Sequence, residues 1–225
     1  MKHIFIAGNW KSKKTIAESE AWFDGFVARM KDVDLHEATV VICAPYISLP
    51  VLSSKIRESG MTVSLGAQDV SGFAEGAYTG EVTAGMIREV ASWVIIGHSE
   101  RRKYFGETDE QLQKKVEQAK AAGLKVIYCV QDDSTVVPPN VDVVAYEPVW
   151  AIGTGKTDSP ENANAVVTSI KSKTGVSTVL YGGSVVAENV ASFVSQSHID
   201  GVLPGGASLD PEKYASLVRN AITVA

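Results

Sequence analysis

The stretch VDVVAYEPVWAIGTGK, residues 141–156, decides how the rest of the chain is read. Val141 to Tyr146 is alternating and largely apolar, as in a buried strand. It stops at a carboxylate, Glu147, followed by Pro148, whose ring fixes the backbone and ends the ladder. A charge therefore stands at a strand's exit. Beyond it runs a loop with stiff ends, Pro148-Val149-Trp150 and Lys156-Thr157, around Gly153 and Gly155, the pattern of a hinged lid.

Similar apolar runs recur along the chain. Strand candidates begin near Ile4, Thr39, Thr62, Trp93, Lys125, Val141, Thr178 and Ile199. Amphipathic segments lie between them: Ile16, Phe23, Phe26, Val27 and Met30 fall on one helical face, and Ser159-Pro160 and Asp210-Pro211 each put a proline at a helix start. Alternating strand and helix implies a parallel sheet. Eight short strands, apolar on both faces, fit one closed (β/α)₈ barrel over residues 1–225 better than an open sheet. A chain of 225 residues, 45% of them hydrophobic, is long enough to bury such a core.

One interval breaks the rhythm. Only QDDSTVVPPN, residues 131–140, separates the fifth strand from the sixth, and Pro138-Pro139 forbids helix in its second half. The helix between these strands is therefore expected to be largely missing. The barrel wall beside it is expected to be under-covered, with a partner subunit as a candidate shield.

Composition excludes several function classes. The net charge of −5 comes from interspersed acidic and basic residues, so no basic face argues for nucleic acid or an anionic membrane. Cys43 and Cys129 sit inside apolar runs, the first strand follows Met1 almost directly, and no apolar run approaches the roughly 20 residues of a membrane span. The expectation is a reduced, cytoplasmic protein with free thiols.

In such a barrel the chemistry collects where strands end. The first strand exits into Gly8-Asn9-Trp10-Lys11, the fourth into Gly97-His98-Ser99-Glu100, the sixth into Glu147, the seventh into Gly182-Gly183-Ser184 and the eighth into Gly205-Gly206. Proton abstraction beside a carbonyl needs a carboxylate base and donors for the charge that grows on oxygen. Glu147 is the base candidate. His98 is the electrophile, kept neutral by the helix start behind it, while Lys11 and Asn9 steady the same oxygen. Gly153, Gly183-Ser184 and Gly205-Gly206 offer bare backbone N–H groups to a phosphate.

These motifs, GNWK at 8–11, AQDVSGFAEGAYTGEVTAGM at 67–86, IIGHSERRKYFGET at 95–108, AYEPVWAIGTGKT at 145–157, LYGGSV at 180–185 and DGVLPGGASL at 200–209, together resemble the triosephosphate isomerase family over nearly the whole chain. The glutamate base and neutral histidine are that family's known pattern. The resemblance implies interconversion of dihydroxyacetone phosphate and D-glyceraldehyde 3-phosphate through an enediolate on a TIM barrel, with no metal or organic cofactor. It implies Glu147, His98 and Lys11 as catalytic, Asn9 and Lys11 as substrate-binding, and Gly153, Ser184, Gly205 and Gly206 as phosphate-binding. It further implies that Glu100 orients Lys11, that Tyr181 and Ser184 latch a lid at residues 149–156, and that Thr79, on the protruding segment 68–81, enters a neighbouring subunit's site in a homodimer.

Two departures stand out. The family carries a Gly-Glu pair and a helical segment after the fifth strand; here Gln131-Asp132 replaces the pair, and Asp132 is expected to meet Arg102. This shortening leaves a tetramer open beside the dimer. Pro204 stands where the family has a residue with an N–H, which removes one donor near the phosphate turns. Two other readings are a different phosphosugar isomerase on the same barrel, which has no reason to keep Lys11, His98, Glu147 and the lid together, and a non-catalytic phosphate-binding relative, which is expected to lose the reacting side chains first.

Overall fold

The computed structural model describes residues 2–150 and 157–224. Eight strands run in parallel and close on themselves in chain order: β1 (Ile4–Asn9), β2 (Ala38–Cys43), β3 (Ser64–Ala67), β4 (Trp93–Ile96), β5 (Lys125–Val130), β6 (Val143–Tyr146), β7 (Thr178–Tyr181) and β8 (Gly201–Val202). β8 pairs with both β7 and β1, so the sheet has no free edge. This closure needs a glycine: a Cβ on Gly201 would lie 1.8 Å from the Phe5 carbonyl oxygen.

Each predicted strand lies within two residues of its expected start, because its apolar run is buried on both faces. Alternate residues point inward, where Phe5, Ala7, Ile95, Ile127, Ala145 and Leu180 fill the barrel. Their neighbours, such as Ile4, Ile6, Val94, Val126 and Val144, face the surrounding helices.

Helices α1 (Ile16–Met30), α2 (Leu49–Ser59), α3 (Ala84–Arg88), α4 (Ser99–Phe105), α5 (Asp109–Ala121), α6 (Pro160–Thr174), α7 (Val190–Val194) and α8 (Pro211–Thr223) make the outer layer. Their starts are written locally. Thr15 and Glu18 form a reciprocal cap on α1, and Ser159 and Asp210 cap the proline-led α6 and α8. The buried stripe of α1 is Trp22, Phe23, Phe26 and Met30; Ile16, expected on it, is the first helical residue and is exposed.

No helix connects β5 to β6, as the short link required. Asp132 instead closes a tight turn, accepting from the N–H and hydroxyl of Ser134 and Thr135. Asp133 ties the link to α6 through the Ser169 hydroxyl at 2.6 Å and Lys173 Nζ at 2.7 Å. Two expectations are corrected here. Asp132 is taken up by its own turn, and Arg102 pairs with Asp109 at 2.7 Å while donating to the Tyr128 hydroxyl. The wall is also not under-covered: Val126, Tyr128, Val130 and Val144 are buried within this one chain. Val137 and Val141 pack on the outer core beside a buried Pro138, so a few apolar residues of the link do the work of the absent helix.

Candidate active site

The strands' period of two builds the mouth of the barrel. Continuing the inward row of β6 past Val143 and Ala145 brings Glu147 to the top, and the rows of β1, β7 and β8 bring up Asn9, Gly182 and Gly205. β4 reaches the same level through Gly97, whose φ of +76° turns the chain so that His98 caps α4. Asn9, Lys11, His98, Glu147, Ser184, Gly205 and Gly206 all line one cavity of about 230 Å³.

Glu147 and His98 are both buried and in contact. His98 Nε2 lies 2.9 Å from Glu147 Oε1, and the Ser99 N–H donates to Glu147 Oε2 at 2.9 Å. Burial, the strongest influence on Glu147, favours the neutral acid. The His98 charge and hydrogen bond, the Ser99 N–H and Lys11 together outweigh it and hold the carboxyl below the usual range. For His98, burial disfavours the cation, but the Glu147 charge outweighs it and raises the imidazole pKa. The second ring nitrogen argues the other way. Nδ1 accepts the Glu100 N–H at 3.2 Å, which assigns the proton to Nε2 and describes a neutral ring. The pull toward imidazolium thus comes from the carboxylate and lasts only while Glu147 stays on Nε2.

Lys11 is held from two sides. Its backbone, at φ +53°, donates to Asn9 Oδ1 at 2.9 Å, and its Nζ lies 2.6 Å from Glu100 Oε1. A left-handed lysine costs on the order of 1–2 kcal/mol, and the Asn9 turn helps offset it. Across the cavity the turns 182–184 and 205–207 present backbone amides with few side chains.

The comparisons bear on this geometry. A sequence model of the triosephosphate isomerase family matches residues 4–140 and 135–221. Curated relatives named triosephosphate isomerase come from Synechocystis sp. (44% identical over 242 aligned positions, covering 97% of this chain and 99% of the relative), Picosynechococcus sp. (41%, the same shares) and Synechococcus sp. (40%, 97% and 95%). The chain belongs to the triosephosphate isomerase family. The aligned length exceeds 225, so these relatives carry residues this chain lacks; the family match breaks near residues 135–140, at the link that replaces the helix.

Against the triosephosphate isomerase pattern, Asn9, Lys11, His98, Glu147, Ser184, Gly205 and Gly206 meet at one cavity, and Glu100 lies on Lys11. Tyr181 is set below it, its hydroxyl accepting the Asp158 N–H at 2.9 Å. Thr79 is exposed on the protruding segment and does not line this cavity. Gly153 and most of the lid, residues 151–156, lie outside the described residues.

Sequence reading missed Cys129, buried beneath Glu147; burial first, then the charge of that carboxylate, pushes its thiol pKa well up. The register was the available signal, since Cys129 pairs with Ala145, one inward step below Glu147. Pro204 also reads differently in place. Phe5 N–H donates to Asp200 and Asn9 N–H to the Pro204 carbonyl, so the same ladder points the N–H of residue 204 at the Ala7 carbonyl rather than at the cavity. The missing donor belongs to the β1–β8 ladder, which accounts for β8 being two residues long.

Proposed function

We propose that this chain interconverts dihydroxyacetone phosphate and D-glyceraldehyde 3-phosphate. Glu147 takes a proton from the carbon beside the carbonyl and returns it to the neighbouring carbon, through an enediolate. The observation that carries the reading is the buried carboxylate 2.9 Å from an imidazole whose other nitrogen is already occupied, in a cavity that also holds Lys11 and two glycine turns.

Before substrate arrives, Glu147 spends its charge on His98 and Ser99. A substrate carbonyl oxygen that accepts from His98 Nε2 displaces the carboxylate onto the C–H. Freed of those donors, Glu147 becomes a stronger base, and His98, relieved of the negative charge, stays neutral. Lys11 and Asn9 stabilise the growing oxyanion, and Ser184, Gly205 and Gly206, with Gly153, hold the phosphate. The test is a coupled assay on purified protein. Rapid conversion of glyceraldehyde 3-phosphate supports the reading, and phosphate-ligand binding without turnover overturns it.

The reading extends to assembly as a homodimer working in a reducing cytoplasm. A second cavity of about 310 Å³ shares Asn9, Lys11 and His98 with the first and is walled by Tyr46, Arg101 and Phe105. Residues 73–81 are all exposed, with Phe73 and Tyr78 stacked at 4.2 Å as a rigid knob that suits such a recess on a second copy. Cys43 and Cys129 are free buried thiols, and no helix among the described residues is long and apolar enough to cross a membrane.

A further inference from the structure

Asn189 stands at the N-cap of α7, where an asparagine ordinarily accepts an N–H of its own helix's first turn. This side chain makes no such bond. It reaches back along the chain instead: Oδ1 accepts the Val186 N–H at 2.9 Å, and Nδ2 donates to the Ser184 carbonyl at 3.2 Å. The two partners fix which way round the amide sits, because a backbone N–H can only donate and a carbonyl can only accept. One side chain thus spans residues 184–186 through both of its polar groups.

Those residues belong to the site. Ser184, Val185 and Val186 line the cavity that holds Glu147 and His98, and Gly182 and Gly183 before them bring no side chain that could fasten the turn. Asn189 does not line the cavity, so it acts on an anion there only through the residues it holds. A second amide provides a contrast. Asn220, on α8, donates to the Ala187 carbonyl at 2.8 Å and ties the same loop to the outer layer one residue beyond the clamp.

We propose that Asn189 is a positioning residue for phosphate binding, its amide clamping the turn 184–186 so that Ser184 keeps its place at the cavity wall. This role rests on the isomerase reading above and supplies the group that holds one of its phosphate turns in a single conformation.

The phosphate lies away from the carbon that loses its proton, and it is gripped before and during the transfer alike. Loosening that grip raises KM more than it lowers kcat. A hydrogen bond to a charged group is worth about tenfold or more in affinity, so Asn189→Ala should raise KM about tenfold with kcat within about threefold. Asn189→Ser, which suits a helix start but is too short to span the turn, should behave as the alanine variant does. Glyceraldehyde, which has no phosphate, should be turned over by either variant as slowly as by wild type. Asn220→Ala should leave KM for the phosphorylated substrate within about twofold.

Calorimetric titration with inorganic phosphate gives a readout independent of turnover. Binding about tenfold weaker in Asn189→Ala and Asn189→Ser, with Asn220→Ala unchanged, supports the clamp. Wild-type affinity in the Asn189 variants overturns it, as does an equal loss in Asn220→Ala or a matching loss with glyceraldehyde. Wild-type protein that binds phosphate without turnover sinks the isomerase reading instead, and the titration then still decides what Asn189 does. Wild-type protein that neither turns over nor binds phosphate overturns both.

Discussion

At the scale of single residues the site is a matter of distance and charge. Glu147 reaches its partners across a barrel mouth in which both His98 Nε2 and the Ser99 N–H stand 2.9 Å away. Glu147→Asp draws the carboxylate back by about one methylene, and the coupled assay should record kcat lower by roughly 10²-fold or more with the fold intact; unchanged turnover would remove Glu147 as the base. The same pair makes stability depend on pH. Glu147 has a depressed pKa when folded, so its contribution is present above about pH 4.3 and is lost as pH falls through the folded value. His98 has a raised pKa, so its contribution is full below about pH 6.5 and is lost as pH rises through the folded value. The window common to both is about pH 4.5–6.5. Calorimetry of wild type and Glu147→Gln across pH should show the largest Tm gap there and a smaller one above pH 8; a gap that grows toward alkaline pH would contradict the pairing.

Elements show how local punctuation serves a closed sheet. Pro204 deprives Ala7 of a ladder donor, yet its carbonyl still holds the Asn9 N–H at 2.9 Å. Restoring an N–H with Pro204→Val adds a hydrogen bond of about 0.5–1.5 kcal/mol and gives up about 0.4–1 kcal/mol of chain stiffness. Stability should stay within about 1 kcal/mol of wild type, and KM should not move; a KM several-fold lower would mean that the restored N–H reaches the phosphate after all. The link between β5 and β6 covers the wall with Val137 and Val141. Val137→Asp puts an unpaired charge against that half-buried surface and should cost about 1–3 kcal/mol in urea denaturation, whereas a neutral result would mean the wall depends on something outside the chain.

For the whole molecule the open question is the second copy. Thr79 lies on an exposed segment beside the stacked Phe73 and Tyr78, away from this chain's own cavity. Thr79→Arg should weaken self-association by about 2 kcal/mol or more and lower activity in parallel, as sedimentation and the coupled assay would record. A fully active variant that still sediments as a dimer would place the interface elsewhere. Much of this architecture was legible in the chain alone. Eight apolar runs, proline-led helix starts at Pro160 and Pro211, the ten-residue link and the charges at strand exits are local patterns, and local patterns survive in one dimension. Ring closure decided the rest. It sets His98 and Ser99 against a carboxylate 48 positions on from Ser99, lays the link's valines over the β5–β6 wall, turns residue 204 toward β1, and brings the Asp158 N–H onto the Tyr181 hydroxyl at the end of β7. Such contacts depend on register and on the curvature of a closed sheet, and no stretch of sequence carries those by itself.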